Sequence, residues 1–356
     1  MAADLPRGQL IPEVHCAADS SQGYALYLPS NYADDRPSSV IFLFDPGARG
    51  ARGVERFQAA AEKYGYIVAG STNSRNGPWE ASITSALAMM NDAGKRLAID
   101  PQRMYTAGMS GGARVAMKLA MDTGRFAGVI ASSAGFPDFQ PRKSVAFDVF
   151  GTAGTEDFNY LEMLDVDRTL TSPHRLAIFE GGHTWLPADV AMEAVEWLEV
   201  RAMNTGRRPR DQAFLDAALV RRVKKAEAEK DGYRAWLLWS AIHADFGAPL
   251  PAGLENRKDV KDGIKRARSD ESREARDRTE LMQLVEGATG EEPQARIARL
   301  GRLRQRLQTL SQQAKTADDS PARRLARRQL ANVSAAVRTF RDPEVRKVFD
   351  QAGERF

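Results

Sequence analysis

The stretch Arg103-Met104-Tyr105-Thr106-Ala107-Gly108-Met109-Ser110-Gly111-Gly112-Ala113-Arg114-Val115-Ala116-Met117-Lys118-Leu119 decides how the rest of the chain is read. Residues 103–107 have strand character, and 113–121 carry a helical pattern. Between them, Gly108-Met109-Ser110-Gly111-Gly112 fits G-x-S-x-G. That pattern suits a serine on a very tight strand-to-helix turn. Small neighbours let the turn close and leave the hydroxyl exposed at the helix N-terminus. The Gly111 N–H then points at an oxyanion developing on a group attacked by Ser110. The competing reading is an ordinary glycine-rich turn; the flanking strand and helix favour a nucleophile.

Working outward, short apolar runs alternate with amphipathic stretches. Tyr24–Leu28, Val40–Phe44, Tyr66–Gly70, Gly128–Ser132, Val145–Phe150 and Arg175–Phe179 read as further strands. Val54–Tyr64, Ala81–Ala98, Asn159–Leu170 and Pro187–Met203 read as helices, and Asp100-Pro101 as a turn. This alternation predicts a mostly parallel sheet with helices on both faces. In such sheets, sites gather beyond the carboxyl ends of the strands.

A serine hydroxyl needs a base, and histidine is the natural one near neutral pH. Of four histidines, His183 sits in Glu180-Gly181-Gly182-His183-Thr184-Trp185, directly after the last strand. His174 precedes that strand, His15 is near the N-terminus and His243 falls in the second half, so these three read as structural or surface residues. The base needs an acid to hold its tautomer. Asp157, in the loop after Val145–Phe150, is the choice, with Glu156 and Asp138 as rivals. The second oxyanion donor is expected from the loop Asp45-Pro46-Gly47-Ala48-Arg49-Gly50, as Ala48 N–H first and Gly47 next. Asp45 is expected to brace that loop.

Composition bounds the alternatives. The chain has 356 residues, 43% of them hydrophobic and 28% charged, which suits about two globular domains. The single cysteine, Cys16, excludes an intramolecular disulfide and a cysteine-rich metal site. The histidines show no ligand spacing, so neither metal nor cofactor is expected. No apolar run is long enough for a membrane span. The net charge of +4 divides unevenly: residues 1–206 carry −6 and residues 207–356 carry +10. With Gly206 and Pro209 as punctuation, this places a boundary between domains 1–205 and 206–356. Residues 213–244, 278–283, 295–313 and 321–340 have helical spacing, so the second domain reads as a basic helical bundle. The start, Met1-Ala2-Ala3-Asp4, lacks a signal peptide. It reads as an end left by trimming, which favours a secreted or periplasmic location over a cytoplasmic one.

These residues resemble the α/β-hydrolase fold. More narrowly, they are similar to the branch of polyhydroxybutyrate-depolymerase-like, feruloyl-esterase-like and dienelactone-hydrolase-like proteins. The resemblance rests on residues 99–112, 151–157 and 181–185 and on the opening Tyr24–Pro29. The order Ser110, Asp157, His183 is that of the family. Pro46-Gly47 stands where the family often has His-Gly. The resemblance covers roughly residues 20–203 and implies a serine hydrolase working through an acyl-enzyme; with the helical spacing read above, the expected fold is an α/β-hydrolase domain followed by an all-α domain. It places nothing on 207–356.

The expected substrate is a small-molecule or polymer-linked ester. Arg75, Asn76 and Trp79, in the loop after Tyr66–Gly70, are candidate pocket residues, as is Trp185; core packing is the equal alternative for both tryptophans. A peptidase use of the same triad stays open. So does a binding protein in which the basic helical domain is the working module. No aromatics interleave the arginines after residue 250, so nucleic acid is not the expected partner. The hydrolase half is short, and the helical domain is expected to contact it, covering the site from outside, or to contact another protomer.

Overall fold

Strand β3 (Ser38–Phe44) is buried along its whole length. Its side chains alternate, with Val40, Phe42 and Phe44 entering one core and Ile41 and Leu43 another. Burial on both faces is what a continuous apolar run means in a central parallel strand. The computed structural model describes residues 5–288, 291–340 and 342–352, so the Met1–Asp4 end lies outside the described residues.

The other strands are β1 (Leu10–His15), β2 (Gly23–Tyr27), β4 (Ile67–Ser71), β5 (Ile99–Met109), β6 (Gly128–Ser132), β7 (Asp148–Gly154) and β8 (His174–Phe179). They form one sheet in the order β1-β2-β4-β3-β5-β6-β7-β8. Only the β1–β2 and β2–β4 pairings are antiparallel. Helices α1 (Gly50–Tyr64) and α5 (Ala188–Asn204) bury their apolar stripes on one face. Helices α2 (Trp79–Arg96), α3 (Gly111–Thr123) and α4 (Tyr160–Thr169) cover the other. With Ser110 on the turn from β5 to α3, this is the α/β-hydrolase fold expected from the sequence.

Three local expectations change. The strand expected at Val145–Phe150 starts only at Asp148 and runs on to Gly154, so Val145–Phe147 precede β7. Strand β1 carries no clear apolar alternation and escapes a sequence reading; it is held as an edge strand by its pairing with β2. The expected Asp100-Pro101 turn is instead an irregularity within β5, where the register on β3 shifts between Ser38–Ile99 and Val40–Met104. Turn chemistry is still present there, because Asp100 accepts from Gln102 N at 2.9 Å and from Arg103 Nε at 2.9 Å.

After residue 205 every regular element is helical among the described residues. These are α6 (Gln212–Ala228), α7 (Gly232–Phe246), a 3₁₀ turn at Leu254–Asn256, α8 (Lys258–Glu286), α9 (Pro293–Ala314), α10 (Pro321–Phe340) and α11 (Pro343–Gln351). The stretch 213–244 is two helices, because Asp231 caps a new start by accepting from Arg234 N at 2.9 Å. Helix α8 is far longer than its legible 278–283 segment, since its buried positions are sparse along a charged helix. Helices α8 to α11 share an apolar core built on Leu281, Leu303, Leu307, Leu310, Leu330 and Val333. Helix α6 packs Leu215 and Ala218 on Val200 and Met203 of α5. The Arg207-Arg208 connection is pinned to the sheet half. Arg207 donates to Asp148 at 3.2 Å, and Arg208 pairs with the buried Glu199.

The helical core makes a direct prediction. Leu330 is fully buried, so Leu330→Ala is expected to lower stability by about 3 kcal/mol, read as a lower urea midpoint at unchanged slope.

Candidate active site

The serine turn is built by close backbone packing. Ser110 has φ 55° and ψ −124°, a conformation that L side chains rarely adopt. A Cβ on Gly108 would lie 2.1 Å from the Gly112 carbonyl oxygen, and one on Gly112 would lie 1.9 Å from that of Phe44. The glycines therefore let α3 start directly against the ends of β5 and β3. Ser110 N donates to Ser132 O at 2.8 Å, which ties the turn to β6.

His183 lies in the loop after β8 and reaches the serine. Its Nε2 is 2.8 Å from Ser110 Oγ. Its Nδ1 is 2.8 Å from Asp157 Oδ1, beyond the end of β7. A carboxylate at Nδ1 selects the tautomer that donates there, leaving Nε2 to accept from the serine hydroxyl. Asp157 is fully buried. Its Oδ1 also accepts from Asn159 N at 2.8 Å, while Oδ2 has no hydrogen-bond partner among the described residues. The Phe158 ring stacks on the imidazole, with centroids 3.9 Å apart.

The loops carrying Asp157 and His183 are stitched together by backbone. Thr155 N donates to Phe179 O and Glu156 N to Gly181 O, each at 2.8 Å. Gly154 is required at this crossing, because a Cβ there would meet Gly181 O at 2.3 Å. The structure thus brings Ser110, Asp157 and His183 together. Both rival acids are engaged elsewhere, Glu156 with Arg327 and Asp138 with Arg142. His15, His174 and His243 each bond a nearby backbone carbonyl through Nδ1.

The oxyanion expectation is corrected in part. Gly111 opens α3, where a helix leaves its first N–H groups without intrahelical acceptors. Gly47 N, however, donates to Asp45 Oδ1 at 2.8 Å, and Ala48 N closes a turn on Asp45 O at 3.2 Å. Neither is spare, because Asp45 organises the loop. Asp45 is 1% exposed and also accepts from Arg49 Nε at 2.8 Å and Trp185 Nε1 at 2.7 Å. Burial pushes its carboxyl up, but the bonds from Arg49, Trp185 and Gly47 outweigh this and hold it below the usual carboxylate range.

Trp185 is likewise no pocket wall. It is buried against Phe57 and Gly53 beneath the loop. Arg75 and Asn76 are exposed on the loop after β4. Asn76 N donates to Pro46 O at 2.9 Å, and Arg75 bridges Gly47. The Asn76 carboxamide lies on Gly111, where its Oδ1 would be 1.8 Å from an added Cβ. Trp79, 38% exposed, opens α2, with Lys118 Nζ 5.9 Å from its ring centroid.

Sequence reasoning missed Phe158 and Arg114. Only the fold stacks Phe158 on His183. Arg114, one turn beyond the serine, is buried, bidentate to Glu162 at 2.8 Å and 2.8 Å, and bonded to Phe136 O at 2.6 Å. Beside it lies a cavity of about 730 Å³ between the segment after β6, α4 and α8, lined in part by Phe136, Phe139, Leu161, Arg278 and Met282.

No protein-family model and no curated protein matches the chain. Among solved structures, it is similar to an S-formylglutathione hydrolase (FrmB) from Staphylococcus aureus, with 16% identity and a TM-score of 0.41 over 54% of this chain and 98% of that one. It is also similar to Est1E from Butyrivibrio proteoclasticus, with 13% identity and a TM-score of 0.43 over 54% and 98%. A Pyrobaculum calidifontis esterase gives 11% and 0.43 over 56% and 88%.

Asp45 supplies the test of the loop. Removing it strands Arg49, the indole N–H and the Gly47 N–H, so Asp45→Ala is expected to cost about 3 kcal/mol near neutral pH. A carboxyl with a depressed folded pKa stabilises above its unfolded pKa and loses that contribution as pH falls through the folded value. The gap between wild type and variant in denaturant melts should therefore narrow below about pH 4.

Proposed function

We propose that the protein is a cofactor-free serine hydrolase of carboxylic esters. The observation that carries this reading is the relay Ser110 Oγ–His183 Nε2–His183 Nδ1–Asp157 Oδ1, with both contacts at 2.8 Å, beyond the carboxyl ends of the strands.

In the proposed cycle, Ser110 Oγ attacks the ester carbonyl while His183 Nε2 accepts its proton. Asp157, fixed by Asn159 N, faces the imidazolium that forms. The Gly111 N–H faces the tetrahedral oxyanion, and the α3 N-terminus adds a favourable dipole. His183 then protonates the departing alcohol oxygen as the C–O bond breaks, leaving an acyl group on Ser110. Water, deprotonated by His183, attacks the acyl carbon; the acid leaves and Ser110 regains its proton.

The rival reading, with the basic helices as a binding module, draws on the +10 charge of residues 207–356. Part of that excess is met by acids of the first half. Arg207 pairs with Asp148, Arg208 with Glu199, Arg221 with Glu196 and Arg327 with Glu156. The hydrolase reading is therefore preferred.

The test is fluorophosphonate labelling together with hydrolysis of p-nitrophenyl and feruloyl esters. Wild type should be labelled and active, and Ser110→Ala should lose the label and about 10³-fold or more in kcat while staying folded. A folded wild type that neither labels nor turns over esters would reject the proposal.

A further inference from the structure

Three arginines on one face of α10 reach the two loops that carry the acid and the base. Arg324, Arg327 and Arg328 are spaced i, i+3, i+4 and so project from the same side of the helix. Arg327 Nη1 meets both oxygens of Glu156, at 2.9 Å and 3.1 Å, and Glu156 directly precedes Asp157. Arg328 Nη1 donates to the carbonyl of Thr155 at 2.5 Å, one residue further back. Arg324 Nη2 reaches Glu180 at 3.0 Å, at the start of the loop that carries His183.

The arginines are themselves held. Arg328 is bidentate to Glu274 of α8, at 2.6 Å and 2.5 Å, and its guanidinium lies 4.4 Å from the Tyr160 ring centroid. Both members of that pair are nearly buried. Arg327 Nε also donates to Ala314 O, at the end of α9, at 3.1 Å. The grip on the loops is therefore backed by three helices rather than by one flexible side chain.

We propose that α10 is a positioning element for the triad: Arg324, Arg327 and Arg328 clamp the Thr155–Asp157 loop and the Glu180–His183 loop as one body, so that the acid–base geometry depends on the helical region. The proposal rests on the serine-hydrolase reading. The backbone bonds between the two loops set their relative position, and the arginines fix that pair from outside. Among the described residues, the hydrogen bonds and ion pairs of the three reach Thr155, Glu156, Glu180 and neighbouring helices rather than Ser110, His183 or Asp157. The arginines act through Thr155, Glu156 and Glu180 and are positioning residues. Proton relay is steep in geometry, because a displacement of about 1 Å can cost about a hundredfold in rate.

The partly exposed Arg327–Glu156 pair is the place to test this. Arg328→Ala would strand Glu274 without its partner and endanger folding. The experiment compares wild type, Arg327→Ala, Glu156→Gln, the double variant and Arg327→Lys as full-length chains. It measures kcat and KM on p-nitrophenyl acetate, the thermal midpoint, and hydrogen exchange over 154–160 and 180–185. Each single removal is expected to lower kcat by about tenfold with KM held within about twofold. The double variant should lose no more than a single one, and Arg327→Lys should recover part of the rate. Exchange should quicken in both loops, with the midpoint within about 4 °C of wild type.

Wild-type kcat and exchange in the single variants would overturn the proposal. So would additive losses in the double variant, or a loss that follows the unfolded fraction alone. A wild type that fluorophosphonate does not label would refute the hydrolase reading instead. Loop exchange in the same variants then still decides whether α10 holds these segments.

Discussion

The contact on which the sheet half depends is the approach of the α3 N-terminus to the ends of two buried strands. Gly112 lies against the Phe44 carbonyl and Gly108 against Gly112, so no Cβ fits at either position. That squeeze turns the chain at Ser110 into its strained conformation and lifts the hydroxyl above the sheet. The strain of such a residue, of order 1–3 kcal/mol, persists only where the surroundings overdetermine it. Here they do. Ser110 N is bonded to Ser132 O, α3 buries Val115, Ala116 and Leu119 in the core, and β5 is paired on both sides.

The parts around this turn are held by buried polar groups more than by loop stiffness. Asp45 organises the loop after β3 and ties it to Trp185, two residues beyond His183. Ser132 Oγ takes Leu186 N at 3.1 Å and the Thr152 hydroxyl at 2.9 Å, which joins the ends of β6 and β7 to the His183 loop. Arg114 fixes α3 to α4 through Glu162, and Glu162 also accepts from Gly135 N at 2.8 Å. Each of these groups would be costly to bury alone, and each is satisfied by a partner on a different element. The same economy continues across residue 206. Asp245 of α7 receives Trp197 of α5 at 2.8 Å and Arg222 of α6 at 2.5 Å, and pairs with Arg175 of β8. The helical region is thereby fixed to the sheet by buried charge as well as by apolar contact.

Much of the site was legible because its chemistry constrains local sequence. The serine turn needs glycines at 108 and 112, the His183 loop follows the last strand, and Asp157 follows the strand before it. Misreadings arose where one residue type serves two purposes. Trp185 beside the base looks like a pocket wall, yet its indole is the buried donor to Asp45. Gly47 and Ala48 stand at the expected oxyanion position, yet their N–H groups close the loop on Asp45. Strand β1 and helix α8 were obscured because pairing and tertiary packing, not periodicity, hold them in place.

The sequence by itself determined the alternation of strands and helices, the serine turn, the chain order of Ser110, Asp157 and His183, and the change to a basic helical region. These follow from periodicity, backbone sterics and charge, all of which are local. Only the tertiary structure decided which charges meet. Glu156 and Arg327 are 171 residues apart and Thr155 and Arg328 are 173 apart, and no local pattern pairs them. An arginine on a helix face reads as a solvated charge until the fold supplies its acceptor. Here the acceptors are the loops that carry Asp157 and His183.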